Sequence, residues 1–161
     1  MSDNIQQDFL DYCKSGDANK VKDLLKDPRV DPSDRNNYAI IFSSQYGHIE
    51  VVKELLKDHR IDPSDYDNLA IRFSSYNGHT DVVKELLKDP RVDPSVDNND
   101  PIRLSSENGH SDVVYQFLKD SRIDKHMLLN SNITDKLRKE ILYYLNEVRD
   151  KSIDKVMDTD I

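Results

Sequence analysis

The chain has 161 residues, with 36% hydrophobic and 7% aromatic side chains, no Trp and a single Cys. Its 23 basic and 31 acidic residues leave a formal net charge of −8, which repels a phosphate backbone and argues against nucleic acid as the partner. One Cys forms no internal disulfide, no basic-then-apolar leader follows Met1, and no apolar run reaches bilayer length. The expectation is therefore a cytoplasmic or nuclear protein without membrane contact; a monomer is also expected.

Taken in order, the first helix is expected from Asp3, which is placed to cap it, through Ile5, Phe9, Leu10 and Cys13 at helical spacing. Gly16 breaks it, and a second helix carries Val21, Leu24 and Leu25. A loop follows, because Pro28 and Pro32 are unsuited to a helix interior or a central strand. Gly16 recurs as Gly47, Gly78 and Gly109, every 31 residues. A period between about 20 and 50 residues means stacked supersecondary units.

Each full unit predicts a polar connection, a first helix, a glycine break and a second helix. The first helices are expected over 38–46, 69–77 and 100–108, and the second over 49–57, 80–88 and 111–119. Val51, Val52, Leu55 and Leu56 form the narrow buried stripe of one second helix, repeated at Val82, Val83, Leu86 and Leu87. Thr80 is placed to cap a second helix, and Asp100-Pro101 to open a first one. Unit boundaries fall near 1–30, 31–61, 62–92, 93–123 and 124–149. The terminal units are atypical because their outer faces meet water. In the last, Lys125 to Asn130 forms a short helix, Thr134 caps a longer one, and residues 150–161 are expected as a flexible polar tail.

Each unit also holds Ser, His and an acid, for example Ser74, His79 and Asp81. A catalytic site needs one converging constellation, whereas this set recurs three times, so the residues are read as scaffold and no enzyme is expected. The histidines lack metal-ligand spacing, no Gly-rich phosphate cradle exists among 4 glycines, and no cofactor is expected. His48, His79 and His110, at the helix starts, are expected to bond neighbouring backbone and lock adjacent units. Cys13 lies on an apolar face and is expected to be buried and inert. The pairs Ser43-Ser44, Ser74-Ser75 and Ser105-Ser106 suit close helix packing, with hydroxyls bonded one turn back.

These motifs resemble the ankyrin-repeat family over roughly residues 3–148. Its Gly-His motif is kept at Gly47-His48, Gly78-His79 and Gly109-His110, each followed by Val-Val-x-x-Leu-Leu or a close equivalent. Its Thr-Pro-Leu-His motif is replaced by Tyr38-Ala39-Ile40-Ile41, Leu69-Ala70-Ile71-Arg72 and Asp100-Pro101-Ile102-Arg103. The short repeat, with its Asp-Pro-Arg-Val-Asp-Pro finger, is similar to repeats of large amoebal viruses and some protists. The resemblance implies an all-α solenoid of about four to five helix–turn–helix units, counting the caps, with irregular or short hairpin fingers.

It also implies a non-enzymatic module that binds an intracellular protein through a concave face of finger tips and first helices. Carried over by position, that face comprises Arg35, Asn37, Gln45 and Tyr46, then Tyr66, Asn68, Tyr76 and Asn77, then Asp97, Asn99, Glu107 and Asn108. The slot of Arg35, Tyr66 and Asp97 differs in every unit, and Tyr46, Tyr66 and Tyr76 supply interface area at little rotamer cost. Arg72 and Arg103 either point into the groove or pair with acids such as Asp67 or Asp97. Two other readings remain: hydroxylation of Asn37, Asn68 and Asn99 by an asparaginyl hydroxylase, and recruitment of a ubiquitin ligase through the long last helix.

Overall fold

A computed structural model describes residues 4–157, with side chains through residue 149. Ten helices follow one another: α1 (Ile5–Ser15), α2 (Ala18–Leu24), α3 (Asp34–Gln45), α4 (Ile49–Leu56), α5 (Asp65–Tyr76), α6 (Thr80–Leu86), α7 (Val96–Glu107), α8 (Ser111–Lys119), α9 (Lys125–Leu129) and α10 (Asp135–Met157). No strand occurs among the described residues. The chain is an all-α solenoid. First helices α1, α3, α5 and α7 pack in series as one layer, and second helices α2, α4, α6 and α8 as the other. Helix α10 packs on both α7 and α8 and so closes both layers at once.

The core is a thin seam between the layers. Val51, Val52 and Leu55 of α4 are fully buried, as are their counterparts Val82, Val83 and Leu86 of α6. Leu56 is only half-buried, so the stripe is narrower than the repeat suggests. The first helices contribute small residues, which let neighbouring backbones approach. Ser43 and Ser74 are fully buried and donate to the carbonyls of Ala39 and Ala70, at 2.8 and 2.9 Å. Ser105 donates to Ile102 at 2.9 Å. The second serine of each pair behaves differently. The Ser44 and Ser75 hydroxyls have no partner in the interior, whereas Ser106 reaches Glu140 of α10 at 2.7 Å.

The fingers are neither strands nor hairpins. Each is two successive turns closed by an aspartate that accepts from the residue two positions on. Asp58 accepts the Arg60 N–H at 3.0 Å, and Asp62 accepts the Ser64 N–H at 2.9 Å. Prolines fit between these partners because no hydrogen bond is asked of their nitrogens. The polar connection then makes one left-handed turn. Residues 35–37, 66–68 and 97–99 all have φ between 50° and 63°. Asn and Asp tolerate that region better than other non-glycine residues, and they fill the last two places of every triplet. The right-handed first helices begin only after it.

Three expected details change. Asn4, not Asp3, caps α1, accepting from the Gln7 N–H at 3.1 Å, and Asp3 itself lies outside the described residues. The cap position of α6 is His79, not Thr80. Helix α10, which Thr134 does cap through the Leu137 N–H, continues to Met157, past the boundary expected at 149. Residues 158–161 of the expected tail lie outside the described residues.

Two devices join unit to unit. The first is the Gly-His couplet. His48, His79 and His110 cap their helices without a side-chain cap bond, because each ring reaches back into the preceding unit. Their Nε2–H groups donate to the carbonyls of Lys14 at 2.7 Å, Gln45 at 2.9 Å and Tyr76 at 3.0 Å. These carbonyls end first helices, where intrahelical partners run out. Each ring also lies over the preceding unit's glycine. A Cβ on Gly47 would stand 2.6 Å from Nδ1 of His79, and one on Gly78 would strike His110.

The second device is the finger arginine. Arg60 and Arg91 hold the aspartate two residues earlier through a two-bond fork. They also donate backwards: Arg60 to the Val30 carbonyl at 3.0 Å, and Arg91 to the Ile61 carbonyl at 2.7 Å. Arg122 repeats the pattern on Val92 and Leu87.

Gly78→Ala is expected to lower stability by about 2 kcal/mol or more, from positive-φ strain plus the collision with His110. The double variant with His110→Ala should lose about 1 kcal/mol less than the sum of the two single-variant losses, because the ring that collides is gone. Urea unfolding of the three variants checks the coupling. The arginine fork holds the carboxyls of Asp58, Asp89 and Asp120 below their ordinary value of 3.8. A depressed folded pKa contributes stability that is fully present above the unfolded value and is lost as pH falls through the folded one. Asp89→Asn should therefore be less stable at neutral pH and show a shallower acid limb below pH ~4 in urea midpoints.

Candidate functional site

Side chains not consumed by stacking collect on one face, formed by the fingers and the outward side of the first-helix layer. Tyr46, Tyr66 and Tyr76 are 52%, 45% and 50% exposed, far more than large aromatic rings need to be in a folded domain. Tyr66, at the tip of the third unit's finger, packs on Tyr38 of α3 with ring centroids 6.1 Å apart. Tyr38 in turn meets Phe42 edge-on at 5.2 Å, and Lys14 of α1 lies 4.4 Å above the Phe42 ring. The aromatic band therefore joins two units, and a lysine of a third caps its inner end. Beside it, Leu69, Arg72, Phe73, Tyr76 and Leu104 line an open groove of about 260 Å³ between α5 and α7.

Charge is fixed along this face. Arg72 pairs with Asp100 at 2.8 Å and approaches Asp97 at 3.7 Å, both from the next unit. Arg72 both lines the groove and pairs, and the pairing draws Asp97 into a scaffold contact. Arg35 lies 3.7 Å from Asp34, and Arg103 only 4.0 Å from Glu107 on its own helix.

The structure corrects the expected exposure of two asparagines. Asn37 and Asn68 are only 5% and 8% exposed, because the left-handed turn rotates them inward. The Asn37 Oδ1 accepts the Asp62 N–H at 2.8 Å, and its amide donates to Asp65 at 2.9 Å. Asn68 accepts the Asp93 N–H at 2.8 Å. Both are staples between fingers, and an enzyme acting on them would have to open that joint. Asn99, in the same register, is half-buried. Asn77 and Asn108 are exposed, but their amides donate to their own helices at Phe73 and Leu104. Gln45 lends its carbonyl to both His79 and Asn77.

Phe42, Phe73 and Leu104 were not among the expected face residues. They repeat every 31 residues and lie half-buried on the face. The signal available was an apolar position at the repeat period that falls outside the stripe facing the second helices.

The chemistry of the repeated Ser, His and Asp follows from their bonds. The Ser74 hydroxyl is committed to Ala70 and the His79 Nε2–H to Gln45, so neither is directed at the other. Burial pushes the Cys13 thiol up to about 12, which leaves no thiolate at neutral pH. Among the described residues, no group of His, Cys, Asp and Glu is arranged to hold a metal ion. None of the helices there is long and apolar enough to cross a membrane.

The family model described as Ankyrin repeats (3 copies) matches residues 9–100, a span that takes in α2 to α6 whole and most of α1. A comparison with curated proteins returns no match.

Asn37→Asp tests the staple. Asp tolerates the left-handed backbone and keeps the acceptor for Asp62, but sets a second carboxylate against Asp65. The expected loss is about 1–3 kcal/mol at neutral pH, from a lost buried donor and like-charge repulsion. The exposed neighbour substitution Asn36→Asp should change stability by less than about 0.5 kcal/mol. Urea unfolding of both variants makes the comparison.

Proposed function

Because the chain belongs to the ankyrin-repeat family, whose repeats are protein–protein interaction scaffolds, we propose that it recognises a polypeptide partner through the face centred on Tyr46, Tyr66 and Tyr76. The supporting observation is that these three rings, one in a finger and two at the ends of first helices, stand about half in water. The second-helix side instead displays salt-bridged lysines such as Lys53, Lys57 and Lys88. The family is generally a non-enzymatic interaction module, and the bonds committed at Ser74 and His79 suit that role.

Recognition here is complementarity to a preset surface. The finger tips are held by Asn37 and Asn68 and the helices by the Gly-His couplets, so little backbone has to be ordered when a partner arrives. The tyrosines add large contact area with few rotors, and their hydroxyls remain free to bond a partner. The groove of Leu69, Phe73, Tyr76 and Leu104 offers a recess for one apolar side chain beside Tyr76.

Partner capture by the purified chain, quantified by mass spectrometry against the Tyr46→Ala, Tyr76→Ala double variant, tests the face. Each ring acting as a hot spot is worth about 2 kcal/mol or more, roughly 30-fold in affinity. The double variant should lose its partner while keeping its far-ultraviolet circular dichroism. Undiminished capture would remove this face from the function.

A further inference from the structure

The repeat places Arg72 and Arg103 in one register, and it places Asp100 and Ser131 in another, 31 residues apart in both cases. Arg72 finds Asp100 in the next unit at 2.8 Å. At Arg103, one unit on, the residue at that spacing is Ser131, not an acid, and it follows α9 instead of a left-handed turn. Arg103, Ser131, Asn98 and Asn132 together line a concavity of about 370 Å³ at the end of the first-helix face. The Ser131 hydroxyl is spent on the Leu128 carbonyl at 2.7 Å, whereas neither the Asn98 nor the Asn132 amide makes a side-chain hydrogen bond among the described residues.

Arg103 itself has one charged neighbour, Glu107, at 4.0 Å, and the two side chains are 38% and 43% exposed. An exposed pair at that distance within one helix contributes only tenths of a kcal/mol. The other arginines in comparable places are satisfied: Arg60, Arg91 and Arg122 by an aspartate fork and a carbonyl, and Arg72 by Asp100.

We propose that the concavity at Arg103 binds an oxyanion, the carboxylate or phosphoryl group of a ligand, with the guanidinium as its principal donor. The guanidinium supplies a planar fork that matches two oxygens of either group. The Asn98 and Asn132 amides supply further neutral donors around it. Glu107, at the limit of pairing distance, is displaced by an anion that approaches the fork more closely. This site does not depend on the protein-binding role of the tyrosine face, and a small anion alone is enough to test it.

The test is a nitrogen-15 correlation titration of the full chain with sodium phosphate at constant ionic strength, followed by N-acetyl-phosphoserine amide and N-acetyl-glutamate amide. Saturable shifts confined to residues 98, 103, 131 and 132 are expected. Arg103→Gln should weaken binding at least ~10-fold, the loss of one charge-assisted fork. Ser131→Asp restores the internal acid. It should keep the spectrum of the fold and abolish the response, an outcome that a merely structural loss cannot imitate. Tighter binding by the phosphoserine or by the glutamate compound assigns the phosphoryl or the carboxylate source. Shifts that never saturate, that centre elsewhere, or that persist in both variants overturn the site.

Discussion

The whole assembly depends on a ring that sits over a glycine. Each unit ends its first helix with a carbonyl that has no intrahelical partner and a glycine that has no side chain. The next unit's histidine uses both at once, donating to the carbonyl and lying across the bare backbone. Neither residue is sufficient alone. A larger side chain in the glycine slot would evict the ring, and without the ring the carbonyl would be stranded beside the seam. The couplet also fixes the offset between units, because a ring that bonds a carbonyl 34 residues earlier admits one register. Hydrophobic burial supplies most of the cohesion in such stacks, but it is not directional. The couplet adds the direction.

The two ends show what the device costs when one half is absent. At the start, Asp17 stands where the later units have histidine. Its carboxylate turns to its own helix and accepts from the Lys20 N–H at 3.0 Å. Arg29 likewise keeps its aspartate fork, makes no bond to a backbone carbonyl among the described residues, and its side chain is 71% exposed. At the other end, Gly109 has no following histidine. Lys136 comes within 3.7 Å of its Cβ direction and donates to the Ser106 carbonyl at 2.7 Å. Glu140 adds two bonds, to Ser106 and Ser111. Helix α10 thus closes the stack with longer side chains, one of them on the carbonyl next before the one a histidine would take by the 31-residue period.

The stack was legible in the sequence because its cause is periodic. A glycine, a histidine and a Val-Val stripe that return every 31 residues leave few architectures open, and the locking role of His48, His79 and His110 followed from their place beside the break. The finger arginines were not read. Their acceptors are backbone carbonyls 30 to 35 residues away, and a carbonyl leaves no mark in a sequence. The asparagines were misread for a related reason. Register shows that Asn37 and Asn68 do the same job, but not whether that job faces inward or outward. The deciding fact was the hand of the turn. Its trace was present in the Asn and Asp residues that close each triplet, 36–37, 67–68 and 98–99, although a polar connection explains the same letters. Arg72 shows the opposite case: both of its fates were visible, and in the fold it meets both.

The left-handed turns carry one more implication. Asn and Asp occupy two of their three places and tolerate them, but the first place holds Arg35, Tyr66 and Asp97, at φ of 52°, 51° and 50°. For a bulky residue such as Tyr this region crowds Cβ against the following carbonyl, at about 1–2 kcal/mol per residue. Glycine would relieve the crowding. The stack itself would therefore be better served by three glycines at the positions where the units differ most. Folding and diversity are set against each other at these tips. A library of variants screened for thermal stability alone would converge there on the blank residue, and would erase the very positions at which one unit can be told from the next.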